Sequence, residues 1–139
     1  MNQPIQLFID ENISPYLAKG LHHLEQGNGK DIEIRSIKDV YGKGALDEDW
    51  IPEVGRIGGI VITQDHNIFK KKQQRDLYEK YGVGLFFIKP PSNTGYKYWE
   101  MVEQIINRWT EIKKLSISNK RPFAFLCTAK ANSKFERIN

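Results

Sequence analysis

The chain has 139 residues, a net charge of +4 and 40% hydrophobic residues, enough apolar material for one core, which excludes a disordered polyelectrolyte. Its apolar runs are a few residues long, too short to span a bilayer, and Met1-Asn2-Gln3-Pro4 lacks the basic-then-apolar pattern of a secretory signal. A single cysteine, Cys127, excludes an internal disulfide and any multi-cysteine zinc site, so a reducing cytoplasm is expected.

The first strand is expected at 5–10, where an apolar run stops abruptly in Asp10-Glu11-Asn12. Ser14 then reads as an N-cap and Pro15 as the first helical residue, where its missing N–H costs nothing. Leu17, Leu21 and Leu24 fall at i, i+4 and i+7 and predict one apolar stripe, with His22 and His23 facing solvent. Gln26-Gly27-Asn28-Gly29 closes that helix. Ile32 and Ile34 alternate with charged residues, which predicts a second strand at 31–36. After a loop at 41–45, Leu46, Trp50, Val54 and Ile57 recur at helical spacing. Pro52 is tolerated most easily in a first turn, which favours Asp49 or a neighbour as the N-cap.

Residues 59–63 predict a fully buried strand that ends in Gln64-Asp65-His66-Asn67, and 73–81 a short charged helix. A second buried strand is expected at 84–88, stopped by Lys89-Pro90-Pro91. The longest helix follows, with Tyr98, Val102, Ile105, Trp109 and Ile112 as its stripe. A last strand is expected at 122–127, and 130–139 reads as a polar basic tail of a single domain spanning 1–139. Strands alternating with helices imply an α/β fold, a mainly parallel sheet covered by helices on both faces.

Two strands thus end in acid, at Asp10-Glu11 and at Asp65. Asp47-Glu48-Asp49 opens a helix, which in an α/β unit lies on the same rim as the carboxyl ends of the strands. Three acidic clusters on one rim repel one another unless a cation lies between them, and hard oxygen donors suit Mg²⁺ or Mn²⁺. The plainer alternatives are a loop role for Glu11 and Asn12, and dipole complementation by the helix acids, worth about 0.3–1 kcal/mol. His66 has no Cys or second His nearby and is read as surface rather than as a zinc ligand. Charge is divided along the chain, with 11 acidic against 6 basic side chains in 1–65 and 6 against 15 in 66–139. Lys70, Lys71, Lys72 and Arg75 are either solvated surface or a grip on a polyanion such as RNA.

The segments Phe8-Ile9-Asp10-Glu11-Asn12-Ile13-Ser14, Gly44-Ala45-Leu46-Asp47-Glu48-Asp49-Trp50-Ile51 and Val61-Ile62-Thr63-Gln64-Asp65-His66-Asn67-Ile68 resemble the PIN-like domains of VapC-type toxins. The likeness continues through 82–88 and Tyr98-Trp99. It implies a three-layer α/β/α sandwich and a nuclease that binds one or two Mg²⁺ or Mn²⁺ ions and cleaves RNA with metal-activated water. It also implies a small antitoxin encoded nearby as partner; a homodimer is left open. By position, Asp10, Asp47 and Asp65 match the family's metal acids, with Asp49 as understudy to Asp47, and Glu11 and Asn67 as groups that orient ligands or water. Many relatives carry an acid where this chain has Asn67, and a further acid where it has Ser92-Asn93-Thr94. A reduced acidic set implies one tightly held ion, metal recruited together with RNA, or a catalytically weak or inactive RNA- or protein-binding module. A receiver-like signalling domain shares the paired acids and a Lys-Pro strand end, but Asp65 and Lys89 end successive strands here, one βα unit short of that pattern.

Overall fold

The computed structural model describes residues 3–65 and 67–139, so the reading of His66 lies outside the described residues. Five parallel strands, β1 (Ile5–Ile9), β2 (Ile32–Ser36), β3 (Ile60–Thr63), β4 (Gly84–Ile88) and β5 (Phe123–Cys127), are joined by a short antiparallel β6 (Glu136–Arg137). Their order in the sheet is β2-β1-β3-β4-β5-β6. The helices are α1 (Pro15–Gln26), α2 (Ile37–Tyr41), α3 (Asp47–Arg56), α4 (Asn67–Lys70), α5 (Lys72–Lys80) and α6 (Tyr98–Ser118).

Alternation along the strands builds two cores. Leu7, Ile9, Ile60, Ile62 and Phe86 face α1 and α6, while Phe8, Val61, Leu85 and Phe87 face Trp50, Ile51 and Val54 of α3 and Tyr78 of α5. Because β3 and β4 are buried on both sides, they read in sequence as continuous apolar runs. The result is the three-layer α/β/α arrangement.

Three helix readings need correction. On α1, Leu24 is 65% exposed and Glu25 is buried instead. The buried side of the helix is turned toward α6, where Trp109 Nε1 (2.6 Å) and Lys113 Nζ (3.0 and 3.1 Å) donate to the Glu25 carboxylate and offset its desolvation. His22 is half-buried rather than solvent-facing, and its Nδ1 accepts from the Ile34 N–H at 3.1 Å. Helix α3 starts at Asp47, with Leu46 at the N-cap and Pro52 sixth in the helix. The hydrogen bond that Pro52 cannot donate would have ended on Glu48, an exposed first-turn residue whose carbonyl water can reach. Leu46 and Ile57 are accordingly exposed, and Ile51 joins Trp50 and Val54 in the core. On α6 the buried line is Met101, Ile105, Arg108, Ile112 and Ser116, which leaves Tyr98 half exposed.

The segment 130–139 is not a free tail. Phe135 is buried against Phe86 (ring centroids 5.1 Å apart), and Glu136–Arg137 pairs with β5. The one-turn helices α2 and α4 have no periodic signal to find. Cys127 is buried, as its apolar surroundings suggest. Among the described residues, no helix is long and apolar enough to cross a membrane.

Candidate active site at the carboxyl edge of the sheet

The strand order places a crevice between β1 and β3. From β1 the chain goes outward to β2 on one side, then crosses back to β3 on the other, and in open α/β sheets ligands bind where the winding reverses. Asp10 sits at that point. Its N–H donates to Ile62 O at 3.0 Å, extending the β1–β3 ladder by one residue and setting Asp10 beside Thr63. Thr63 Oγ1 then donates to Asp10 Oδ2 at 2.6 Å and accepts the Asp65 N–H at 3.0 Å, so one hydroxyl ties two strand ends together. The Glu11 N–H donates to Asp10 Oδ1 at 2.8 Å, and the Asn67 N–H to Asp65 Oδ1 at 2.9 Å.

Helix α3 delivers the third acid. Glu11 Oε2 accepts the Gly44 N–H at 2.8 Å and pins the loop that leads into α3, so that Asp47, its first residue, faces the other two aspartates. Asp10, Glu11, Asn12, Asp47 and Asp65 line one cavity of about 190 Å³, together with Trp50, Gln74 and Tyr78.

The electrostatics follow from that convergence. Burial pushes the Asp10 carboxyl up to about 6; the Thr63 and Glu11 hydrogen bonds oppose the shift, while Asp65 and Asp47 add to it. Asp47 is raised by burial and then by Glu48. The Tyr78 phenol is raised well above its ordinary value by burial and then by Asp10, Asp47 and Asp65, so it stays a hydrogen-bond donor at neutral pH. Among the described residues, no three acidic, His or Cys side chains are gathered tightly enough to hold a metal ion as they stand. In chemical kind the donors do fit a hard cation. All are oxygens, and Gln74 Oε1, on the wall of the same cavity, is buried without a hydrogen-bond partner.

A family model described as a PIN like domain matches residues 5–90, from β1 through the end of β4. The chain belongs to the PIN-like domain family. All three aspartates of the cavity lie within the matched span, and PIN-like domains are generally nucleases. No match was found among curated proteins or among solved structures.

The remaining residues singled out in the sequence are scattered around this PIN-like site. Asp49 is exposed and does not line the cavity, because the third position of α3 turns away from the side that Asp47 presents. Asn67 is also exposed and reaches Asp65 through its backbone N–H, not its side chain. The basic run is split. Lys71 lines an adjoining groove of about 400 Å³ with Asp47, Glu48 and Gln74, whereas Lys72 and Arg75 line a separate groove with Pro122, Phe123 and Ile138. Lys70 is exposed on α4 and lines neither groove.

Sequence reasoning missed Thr63, Gln74 and Tyr78. Thr63 carried a faint signal as the polar end of an apolar strand two residues before Asp65. Gln74 and Tyr78 carried none, since nothing local tells which face of α5 meets the acids.

The raised Asp10 value has a stability consequence. Folded, Asp10 binds its proton more tightly than the ordinary carboxyl at 3.8, so stability contributed by this group falls as pH rises from about 4 to about 6. With chelator present, the stability of the wild type minus that of Asp10→Asn is expected to decline across this window and then level off. Urea titrations at several pH values measure it; a flat difference would show that Asp10 ionises as freely as in the unfolded chain.

Proposed function

We propose that this PIN-like domain is a metal-dependent endoribonuclease, and that it acts in the cytoplasm as the growth-inhibiting toxin of a toxin–antitoxin pair. The observation that carries the nuclease reading is the convergence of Asp10, Asp47 and Asp65 from β1, α3 and β3 on one cavity. The toxin assignment rests on the likeness of the three acidic segments to VapC-type sequences. It also entails a small protein inhibitor, encoded nearby, that covers the acidic rim.

In this reading Asp10, Asp47 and Asp65 hold Mg²⁺ or Mn²⁺. When bound, such an ion supplies Lewis acidity that activates water for in-line attack and stabilises the leaving oxygen of the phosphodiester. The chain's own residues prepare the site. Thr63 holds the Asp10 carboxylate at a fixed angle and sets the spacing to Asp65. Glu11 keeps the α3 entry loop closed against the rim, and the backbone of Asn67 orients Asp65. Tyr78 presents a protonated phenol at the cavity wall, suited to donate to a phosphate oxygen. Lys71, beside Asp47, is the lysine best placed to meet the RNA backbone as it leaves the cavity, and Lys70, Lys72 and Arg75 extend a positive field around it.

Calorimetric titration of Mn²⁺ tests the proposal. The wild type is expected to bind, and Asp10→Ala to bind more than about 100-fold more weakly, since losing even an outer-sphere partner of a metal ligand costs about 10–100-fold. The open spacing of the acids keeps one other reading in view, a non-catalytic RNA-binding module. Equal and negligible Mn²⁺ binding by both proteins, with RNA binding intact, would establish that module instead.

A further inference from the structure

Beside the acidic cavity, on the α1–α6 side of the sheet, lies a set of flat aromatic side chains that the proposed hydrolysis does not use. Trp99, in the first turn of α6, is 76% exposed, far more than a core tryptophan such as Trp50. Tyr98 packs edge-on against it, with ring centroids 5.3 Å apart, and is itself half exposed. A cleft of about 90 Å³ opens between the first turns of α1 and α6; Leu17, Met101 and Val102 supply apolar lining, and Asn12, Gln64 and Tyr98 polar groups.

The cleft adjoins the acidic cavity at one residue. Asn12 lines both. Gln64, the residue before Asp65, donates from Nε2 to Asn12 O at 3.0 Å and accepts the Tyr96 N–H at Oε1 at 2.9 Å. The Tyr96 hydroxyl in turn donates to Lys89 O at the end of β4, at 2.7 Å. The loop that leads into α6 and its aromatics is thereby fastened to the strand ends that carry the acids. Lys97, which immediately precedes the two rings in the chain, and Lys89, whose carbonyl Tyr96 holds, are both exposed.

We propose that Trp99 and Tyr98, with the cleft that Tyr98 lines, form a stacking site for unpaired nucleobases flanking the scissile phosphate. Exposed aromatic faces with a lysine adjacent in the chain suit an unpaired strand, which offers a base face for stacking and a phosphate for a lysine. A duplex has both faces of each internal base covered and cannot use such a platform. The inference deepens the nuclease reading and rests on it for the orientation of the strand, but binding at the platform needs no metal.

The test uses the full chain in chelator, with the Trp99→Ala, Trp99→Phe and Tyr98→Ala variants. The probe is a mixed-sequence RNA of about ten nucleotides, within the usual reach of a single-strand site, compared with the same sequence as a duplex. Both variants that remove a ring are expected to bind the single strand between about 5-fold and about 150-fold more weakly, the range for losing one stacked base. Trp99→Phe should retain most of the affinity, and the duplex should bind weakly and equally to all four proteins. Unchanged binding by Trp99→Ala, equal affinity for strand and duplex, or no RNA binding at all would overturn the proposal; the last is the result expected if a protein partner occupies this face. Cleavage of the same RNA in Mn²⁺ separates the two readings. Ring-dependent binding without cleavage sustains the stacking site and removes the nuclease, whereas cleavage that ignores the rings removes the stacking site alone.

Discussion

An Asp65→Asn variant is expected to cleave RNA at least about 100-fold more slowly than the wild type, while melting in chelator at the same temperature or slightly higher. The substitution keeps shape and local hydrogen bonds. An asparagine carbonyl can still accept the Asn67 N–H, and the residue 65 N–H can still donate to Thr63 Oγ1. What disappears is one negative charge in a cavity where Asp10, Asp47 and Tyr78 all register it. Without metal that charge is repulsive, so its loss relieves the apo protein. With metal it is a ligand, and its loss exceeds the penalty of about 10–100-fold for a supporting group. A cleavage assay and a melting curve on one preparation measure both. Undiminished cleavage, or undiminished toxicity on induced expression, would remove Asp65 from the proposed site.

The second large effect is expected far from the acids, at Gly55. This residue lies one position from the end of α3, and a Cβ built there would stand 2.0 Å from the Tyr81 carbonyl oxygen and 3.0 Å from its carbonyl carbon. Tyr81 caps α5, so the obstruction is backbone, and no side-chain rotation relieves it. Alanine would add about 1 kcal/mol of helix propensity, but overpacking against a fixed backbone costs about 1–3 kcal/mol or more. The clash wins. Gly55→Ala is expected to lose about 2 kcal/mol net, lowering the melting temperature by about 5–10 °C. Because α3 carries Asp47, and α5 carries Gln74 and Tyr78, wedging the two helices apart also widens the cavity, so Mn²⁺ affinity should fall with stability. A variant as stable as the wild type would mean that α3 and α5 separate freely at this contact.

Much of the layer structure was readable because burial leaves a local signature. A strand covered on both faces, such as 84–88, must be apolar throughout, and one that breaks off into Asp10-Glu11 marks a rim. Readings went astray where one residue's environment overrode the pattern. Glu25 lies in the core because Trp109 and Lys113, 84 and 88 residues away, satisfy it. The start of α3 precedes Pro52 by more than a turn because the carbonyl left unpaired faces water. Phe135 turns the basic tail into a sheet edge, which no count of charges in 130–139 could show.

By itself the sequence determined the element types, the α/β class, the acids at the strand ends and the likeness that led to the PIN-like family. Hydrophobic periodicity and motif spacing are properties of neighbouring residues. Strand order and register are not. Only the tertiary structure decided that β1 lies beside β3, which brings Thr63 within hydrogen-bond reach of Asp10 across 53 residues. It likewise decided that Asp47 rather than Asp49 faces the cavity, that Lys71 parts company with Lys72 and Arg75, and that Tyr78 and Gln74 line the site. Each of these depends on which faces of distant elements meet, and that is settled by packing two cores against one twisted sheet.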